Sequence, residues 1–162
     1  MSFSPLSVPE VAASAIKGDH EIALFYFSSS WCPDCKPVTP KLVKFASDYN
    51  AATGSSLPIF FVSSDYSASE MLSYASTSLG PLVTCLAYEG EDRANLKRFF
   101  GSCAGKEVAG LGMSSGDRKN GIPALVLFNL KNGTTGEDGD DQIDAMCSKG
   151  AVDVYKSWCS GN

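Results

Sequence analysis

A short apolar strand that runs directly into a pair of cysteines constrains the fold of this chain most. Residues 22–27 are rich in β-forming side chains and form a run short enough for a buried strand. Three serines and Trp31 follow it, and then come Cys32 and Cys35, separated by Pro33 and Asp34. A helix is predicted beyond the cysteines from four apolar residues at i, i+3, i+4, i+7 spacing, the pattern of a helix packed on a sheet: Leu42, Phe45, Ala46 and Tyr49. The cysteine pair is therefore predicted to lie between a buried strand and the helix that covers it.

The rest of the chain alternates predicted strands and helices, which indicates an α/β fold. Further strands are expected at residues 59–63 and 124–129, and further helices at 9–17, 65–76, 92–100 and 152–158. The order strand, helix, strand, helix implies that the first two strands are parallel. The glycine-rich residues 103–121 have no clear period and are predicted to form a long loop.

Turn residues give three more local expectations. Pro40 falls inside the first predicted helix and should kink it, and the helix should break from Asn50 onward. Asn132-Gly133 predicts a hairpin with an antiparallel return strand. Residues 136–141 should then form a mobile acidic turn.

Length and charge narrow the function classes. A chain of 162 residues fits one domain, with residues 1–21 as an N-terminal extension and 103–121 as a loop insertion. The net charge of −5 argues against nucleic-acid binding, because phosphate backbones are bound by clustered Lys and Arg. Neither a membrane-spanning run nor a secretory signal is evident, so we expect a cytoplasmic monomer that does not bind membranes.

The cysteine pair predicts redox chemistry. Cys32 at a helix N-terminus would have its thiolate stabilised by free N–H groups and the helix dipole, with Pro33 as the first helical residue. Cys35, one turn away, could resolve a mixed disulfide formed by Cys32. Zinc binding is the alternative, but zinc needs four ligands and His20 is the only histidine. We therefore expect no cofactor apart from the redox-active pair itself.

A second motif, Gly121-Ile122-Pro123, precedes the strand at 124–129. A proline there suggests a cis peptide bond, since cis bonds occur almost only before proline. Its role would be to hold the Ile122 backbone beside Cys32, where an extended substrate peptide could bind. The Trp31 indole would shield one side of the sulfur and provide an apolar contact for substrate. The predicted substrate-binding residues are thus Trp31, Pro33, Asp34, Ile122 and Pro123.

Residues 25–40 resemble the active-site segment of the tryparedoxin and nucleoredoxin branch of the thioredoxin superfamily. Further similarity to that branch lies in Phe61-Val62-Ser63-Ser64-Asp65, Glu91-Asp92-Arg93 and Gly121-Ile122-Pro123, so the match spreads over residues 22–133. The resemblance implies a thioredoxin fold, a central mixed sheet with helices on both faces. It also implies Cys32 as nucleophile, Cys35 as resolving thiol and Pro123 as the cis-proline.

The sequence departs from that branch and its relatives at several positions. Thioredoxins place a buried Asp where this chain has Tyr26, so proton transfer from Cys35 must use water or another group. Asp34 stands where tryparedoxins have proline, and its charge should oppose formation of the Cys32 thiolate, partly offset by Lys36. Ser64-Asp65-Tyr66 replaces the Trp-Asp-Glu of tryparedoxins, and acidic residues follow Gly133 where they place an Arg.

Simpler interpretations apply to other residues. Asp65 is expected to cap a helix, and Asp92-Arg93 to be a solvated helix start. Small buried or half-buried side chains are expected at the remaining cysteines, which are Cys85, Cys103, Cys147 and Cys159.

Two functions remain open. The first is an enzyme that passes electrons from a small dithiol or a protein reductase to disulfides in proteins such as peroxidases. The second is a redox-switched binding module with little turnover. Both cysteines of the pair are present, which favours the enzyme.

Overall fold

The computed structural model describes residues 20–130 and 139–160. The predicted helix at 9–17 and the predicted hairpin at Asn132-Gly133 lie outside these residues. Within the described ranges, no helix combines the length and apolar character needed to span a bilayer.

A four-stranded mixed sheet forms the centre of the molecule. Its strands are β1 (Ile22–Ser28), β2 (Ile59–Ser63), β3 (Thr84–Cys85) and β4 (Ala124–Asn129), and the spatial order is β3-β2-β1-β4. β1 pairs with β2 in parallel, which confirms the predicted direction, and β2 pairs with β3 in parallel. β4 runs antiparallel to β1. Because β4 is antiparallel to β1, the chain that leaves β1 and the chain that enters β4 lie at the same end of the sheet.

Helices cover both faces of the sheet. They are α1 (Thr39–Thr53), α2 (Ala68–Tyr74), α3 (Asp92–Phe100), α4 (Gly139–Ala145) and α5 (Ala151–Ser160). Alternate residues of each strand point to opposite faces, so β1 contributes Leu24 to one core and Phe25 to the other. Residues of α1, α2, α4 and α5 pack in the first core, and residues of α3 pack in the second. This arrangement is the thioredoxin fold expected from the sequence.

The apolar stripe predicted for α1 is confirmed, but the predicted kink is wrong. Leu42, Phe45, Ala46 and Tyr49 are all buried in the first core. Pro40 lies in the first turn of α1, where its missing N–H breaks no intrahelical hydrogen bond. The helix also continues past Asn50 to Thr53 and ends at Gly54, whose φ of 73° suits a left-handed cap.

Other local expectations need correction. Ser67, not Asp65, caps α2, because the Ser67 hydroxyl accepts a hydrogen bond from the Glu70 N–H. The last three residues of the predicted acidic turn, 139–141, begin α4. The strand β3 was not predicted, since two residues are too short for a periodic signal.

Candidate active site

The cysteine pair lies just beyond the carboxyl end of β1. Cys32 and Cys35 form a disulfide with a Cα–Cα distance of 5.3 Å. Cys32 is 3% exposed and Cys35 is fully buried. The first sulfur is therefore the one closer to solvent, although the surrounding side chains cover most of it.

A series of turns, rather than a helix N-terminus, holds the pair. Backbone N–H groups of Cys35, Lys36 and Val38 each donate to the carbonyl oxygen three residues earlier, and α1 begins only at Thr39. Neither Pro37 nor Pro40 has an N–H to donate, so a continuous α-helical ladder cannot form across this stretch. The expectation that Cys32 and Pro33 open a helix is therefore wrong. One amide still points at the first sulfur, since the Cys35 N–H donates to Cys32 Sγ at 3.2 Å.

The segment before β4 meets the disulfide from the other side. The peptide bond between Ile122 and Pro123 is cis, as expected from the sequence. The Ile122 carbonyl oxygen lies 3.9 Å from Cys32 Sγ. Antiparallel pairing of Ala124 with Phe27 places this segment beside the end of β1. Residues 90 positions apart are thus brought into contact by the sheet register.

Trp31 packs onto a neighbouring aromatic ring. Its indole N–H donates to the Ser64 carbonyl oxygen at 2.8 Å, and its ring stacks on Tyr66 with centroids 5.5 Å apart. Lys106 places its ammonium 4.0 Å from the centre of the indole and donates a hydrogen bond to the Tyr66 hydroxyl. Shielding of the sulfur by Trp31 remains a prediction.

Pro33 and Asp34 are exposed beside the disulfide. Asp34 lines a cleft of about 470 Å³ together with Gly121, Ile122 and Pro123. The far wall of the cleft comes from α4, which contributes Ile143 and Asp144. The structure therefore groups three of the predicted substrate-binding residues around one opening next to the cysteine pair.

Asp65 holds the active-site loop and does not cap a helix, contrary to the prediction. It is 3% exposed, and its carboxylate accepts hydrogen bonds from the Ser30 N–H at 2.8 Å, the Ser30 hydroxyl at 2.5 Å and the Ser63 hydroxyl at 2.7 Å. Ser30 lies two residues before Cys32. Asp65 therefore fixes the loop that carries the first cysteine to the end of β2.

Arg93 also differs from its expected role as a solvated residue. Its guanidinium donates to the Ser63 carbonyl oxygen at 2.7 Å and lies 4.0 Å from the centre of the Tyr88 ring. The Tyr88 hydroxyl donates to the Asp65 carbonyl oxygen at 2.9 Å. The start of α3 is thus tied to the residues that hold the cysteine loop.

The buried Asp of thioredoxins is replaced here by a set of hydroxyl groups. Tyr26 shares a hydrogen bond of 2.8 Å with Thr39, which in turn shares one of 2.5 Å with Tyr74. Burial raises the pKa of Tyr26 to about 12. A phenol with that pKa stays protonated at neutral pH, so Tyr26 cannot take the place of a carboxylate as proton acceptor.

The 103–121 segment is anchored to the site rather than being a free loop. Backbone bonds close its base, where the Cys103 N–H donates to Asn120 and the Lys119 N–H donates to Gly101. Its first turn is held by Glu107, which accepts hydrogen bonds from Ser64 at 2.5 Å and from buried Lys97. The Ser64 carbonyl oxygen also accepts the hydrogen bond from the Trp31 indole. The 103–121 segment and the active-site loop therefore belong to one hydrogen-bond network.

The four remaining cysteines are reduced, and one differs from expectation. Cys103 is buried, and Cys85 and Cys159 are half-buried, as predicted. Cys147 is exposed, because it lies in the turn between α4 and α5. In the part of the chain that the structure describes, no three His, Cys, Asp or Glu side chains are grouped to hold a metal ion.

Replacing Asp34 should accelerate alkylation of Cys32 in the reduced protein. Asp34→Asn and Asp34→Pro both remove a negative charge two residues from the sulfur, and the Asn variant does so without adding a proline ring. Because Asp34 is exposed, we expect a rise of about two- to threefold near neutral pH that shrinks as salt is added. Iodoacetamide modification followed by mass spectrometry measures the rate, with Asp153→Asn on α5 as the matched control. An unchanged rate would show that solvent screens the charge.

Known proteins are similar to this chain in sequence pattern and in fold. Residues 19–135 match the family model described as thioredoxin-like. A crystal structure of thioredoxin from Wuchereria bancrofti aligns with 90% of this chain and 84% of its own at 20% identity, with a TM-score of 0.56. Tryparedoxin from Trypanosoma brucei aligns with 80% of this chain and 73% of its own at 22% identity, with a TM-score of 0.53. Tryparedoxin II from C. fasciculata aligns with 76% of this chain and 69% of its own at 22% identity, with a TM-score of 0.52. No curated protein sequence is significantly similar to the chain.

Proposed function

Because the chain belongs to the thioredoxin-like family, we propose that it is a thiol-disulfide oxidoreductase that reduces disulfides in other proteins through Cys32 and Cys35. The observation that carries this proposal is the Cys32–Cys35 disulfide at the end of β1, with the Ile122 carbonyl oxygen against its first sulfur. When this pair is reduced, the two cysteines hold both electrons that the substrate disulfide needs.

The reaction proceeds by two thiol-disulfide exchanges. In the reduced protein the Cys32 thiolate attacks one sulfur of the substrate disulfide, which forms a mixed disulfide and releases the other substrate sulfur as a thiolate. The Cys35 thiolate then attacks Cys32 Sγ, frees the second substrate thiol and leaves the Cys32–Cys35 disulfide. The substrate gains two electrons and the cysteine pair loses two.

Three observations favour Cys32 as the attacking sulfur. It is the cysteine with measurable exposure, whereas Cys35 has none. The Cys35 N–H lies within hydrogen-bond distance of Cys32 Sγ and would stabilise a thiolate there. The Ile122 backbone stands next to the same sulfur, where an extended substrate segment could lie along it.

We further place the chain near the tryparedoxin and nucleoredoxin branch, working as a monomer in the cytoplasm. Its substrates would be protein disulfides such as those of peroxidases. Its donor would be a dithiol or a protein reductase, which returns two electrons to the Cys32–Cys35 pair. The open cleft beside Ile122 and Pro123 supports access by such partners.

Steady-state reduction of insulin with dithiothreitol as donor tests this function. An enzyme turns over many insulin molecules per protein, and each cycle regenerates the reduced pair. A redox-switched binding module would instead hold insulin or release it with the redox state while adding nothing to the rate of dithiothreitol alone. That second outcome would overturn the proposal.

Reduction by trypanothione should be slow and strongly dependent on salt. Asp65, the acid that remains of the family motif, is buried and engaged by Ser30 and Ser63, so it cannot bind a cationic amine. At the neighbouring position Tyr66 stacks on Trp31 beneath the cation of Lys106. Attraction is then left to the diffuse field of the net negative charge, which salt screens.

Rates with trypanothione, glutathione plus its reductase, and a protein reductase at low and physiological ionic strength decide this point. We expect the last two donors to be faster. Fast reduction by trypanothione that salt does not alter would restore the plain tryparedoxin assignment.

A further inference from the structure

Two cationic side chains lie at the edge of the candidate site. Lys106 and Arg118 both come from the 103–121 segment, and both are exposed. Among the side chains that the structure describes, the ion pairs are Lys44–Asp48 and Lys97–Glu107, so neither Lys106 nor Arg118 forms an ion pair with a described carboxylate. We call Lys106 and Arg118 the cationic rim.

Each cation of the rim lies against a segment that flanks Cys32, Lys106 against Trp31 and Arg118 against Gly121. The Lys106 ammonium lies 4.0 Å from the centre of the Trp31 ring and 4.4 Å from that of Tyr66. The Arg118 guanidinium packs so closely on Gly121 that a Cβ added there would meet its Nη2 at 2.6 Å. Gly121 precedes Ile122, whose carbonyl oxygen touches the first sulfur. The two cations therefore border the site from the Trp31 side to the cis-proline side.

The rim is held in place by the fold. Arg118 donates through Nε to the Cys103 carbonyl oxygen at 3.0 Å. Lys106 precedes Glu107, whose carboxylate accepts bonds from Ser64 and Lys97 and from the Ala104 N–H. Cations fixed in this way lose little conformational freedom when a partner binds, which favours selective contacts.

Resting on the proposed function, we propose that the cationic rim selects protein disulfides that are flanked by acidic residues. Tyr66, which is 59% exposed and stacked on Trp31, adds a flat apolar surface of the kind that protein partners bind. The chain's net charge of −5 repels an acidic partner at long range, but physiological salt screens that repulsion beyond about 8 Å. The cleft itself carries the acids Asp34 and Asp144, so the preference comes from short contacts of the substrate's acidic residues with Lys106 and Arg118.

A peptide series in single turnover tests the inference. Three disulfide peptides differ only in the residues next to the disulfide, which are Glu, Gln or Lys. Reduced wild-type protein is compared with Lys106→Gln/Arg118→Gln at physiological ionic strength, and the ratio of the two rates for each peptide cancels the peptide's own reactivity. We expect the double variant to reduce the Glu peptide about tenfold more slowly, and the Gln peptide within about twofold of wild type.

Two further variants keep the result interpretable. Lys106→Arg/Arg118→Lys retains both charges and should keep the preference for the Glu peptide. Lys149→Gln/Lys156→Gln removes two exposed charges elsewhere and should change none of the ratios. Equal slowing of all three peptides by Lys106→Gln/Arg118→Gln would overturn the inference while leaving the proposed function intact. Failure of wild-type protein to reduce even the Gln peptide would overturn both.

Discussion

Replacing Cys32 with serine should abolish turnover, whereas replacing Cys35 with serine should leave the protein linked to its substrate as a mixed disulfide. The first change removes the only sulfur of the pair that substrate can reach, and the second removes the thiol that would release the product. A serine hydroxyl forms no disulfide in either position. We expect the loss of insulin reduction to be at least a thousandfold, since the uncatalysed exchange alone remains.

Non-reducing gels and mass spectrometry of the protein mixed with insulin measure both outcomes. Cys147→Ser is the matched control, because it removes an exposed thiol outside the pair and should keep full activity without forming an adduct. Trapping by the Cys32→Ser variant instead would reverse the assignment of the two cysteines.

Replacing Glu107 with glutamine should destabilise the protein by about 3 kcal/mol, because it leaves a buried Lys97 without its counter-charge. Lys97 has a side-chain exposure of 2%, and burial lowers its pKa although Glu107 partly offsets the effect. Glutamine keeps the oxygen that accepts from Ser64 and Ala104, so the loss reports mainly on the charge. Urea unfolding at neutral pH measures the difference.

The double variant Lys97→Met/Glu107→Gln supplies the control. Methionine fills the space of the lysine stem and no buried charge remains, so stability should return to within about 1 kcal/mol of wild type. A Glu107→Gln variant as stable as wild type would show that the ion pair contributes nothing.

The same carboxylate sets a pH dependence. Burial raises the pKa of Glu107. The hydrogen bonds from Lys97 and Ser64 and the charge of Lys97 together lower it by more, so the pKa in the folded protein lies below the ordinary value. Its contribution is therefore present above the unfolded pKa of about 4.3 and is lost as the pH falls through the folded value. As the pH falls from neutral to below about 4.3, wild-type protein should therefore lose more stability than Glu107→Gln.

Local patterns predicted the elements of this fold where the sequence has a clear period or a clear stop. The strands at Ile59–Ser63 and Ala124–Asn129 and the helix at Asp92–Phe100 have the expected bounds. The start of α1 does not: a helix from Pro33 with only a kink at Pro40 was expected, whereas α1 begins at Thr39, after Pro37. Both prolines lack the N–H that a helix from Pro33 would need.

The contacts around the site could be predicted only in part. Cys32, Cys35 and the Ile122-Pro123 motif each carry a local signal, and the sheet brings them together. Asp65 and Arg93 gave no such signal, since their roles depend on partners 30 to 35 residues away, one of them a carbonyl oxygen that any residue supplies. Their short polar motifs match a helix cap and a solvated pair equally well.

The 103–121 segment shows the same limit more strongly. Glycine-rich sequence without a period predicted a loop, but nothing local indicated that Glu107 pairs with Lys97 or that Lys106 covers Trp31. Such contacts arise from the path of the whole segment over the sheet. A sequence signal for them would have been the charged residues that interrupt an otherwise small and apolar stretch.

Rapid mixing of fully reduced protein with one equivalent of insulin shows whether Cys32 and Cys35 pass both electrons to a protein disulfide. Acid quenching, alkylation and peptide mapping then show where the two electrons have gone. We expect the Cys32–Cys35 disulfide to form at the same rate as one insulin disulfide is lost, with Cys147 alkylated throughout. Insulin disulfides that stay intact while Cys32 and Cys35 remain reduced would contradict this expectation.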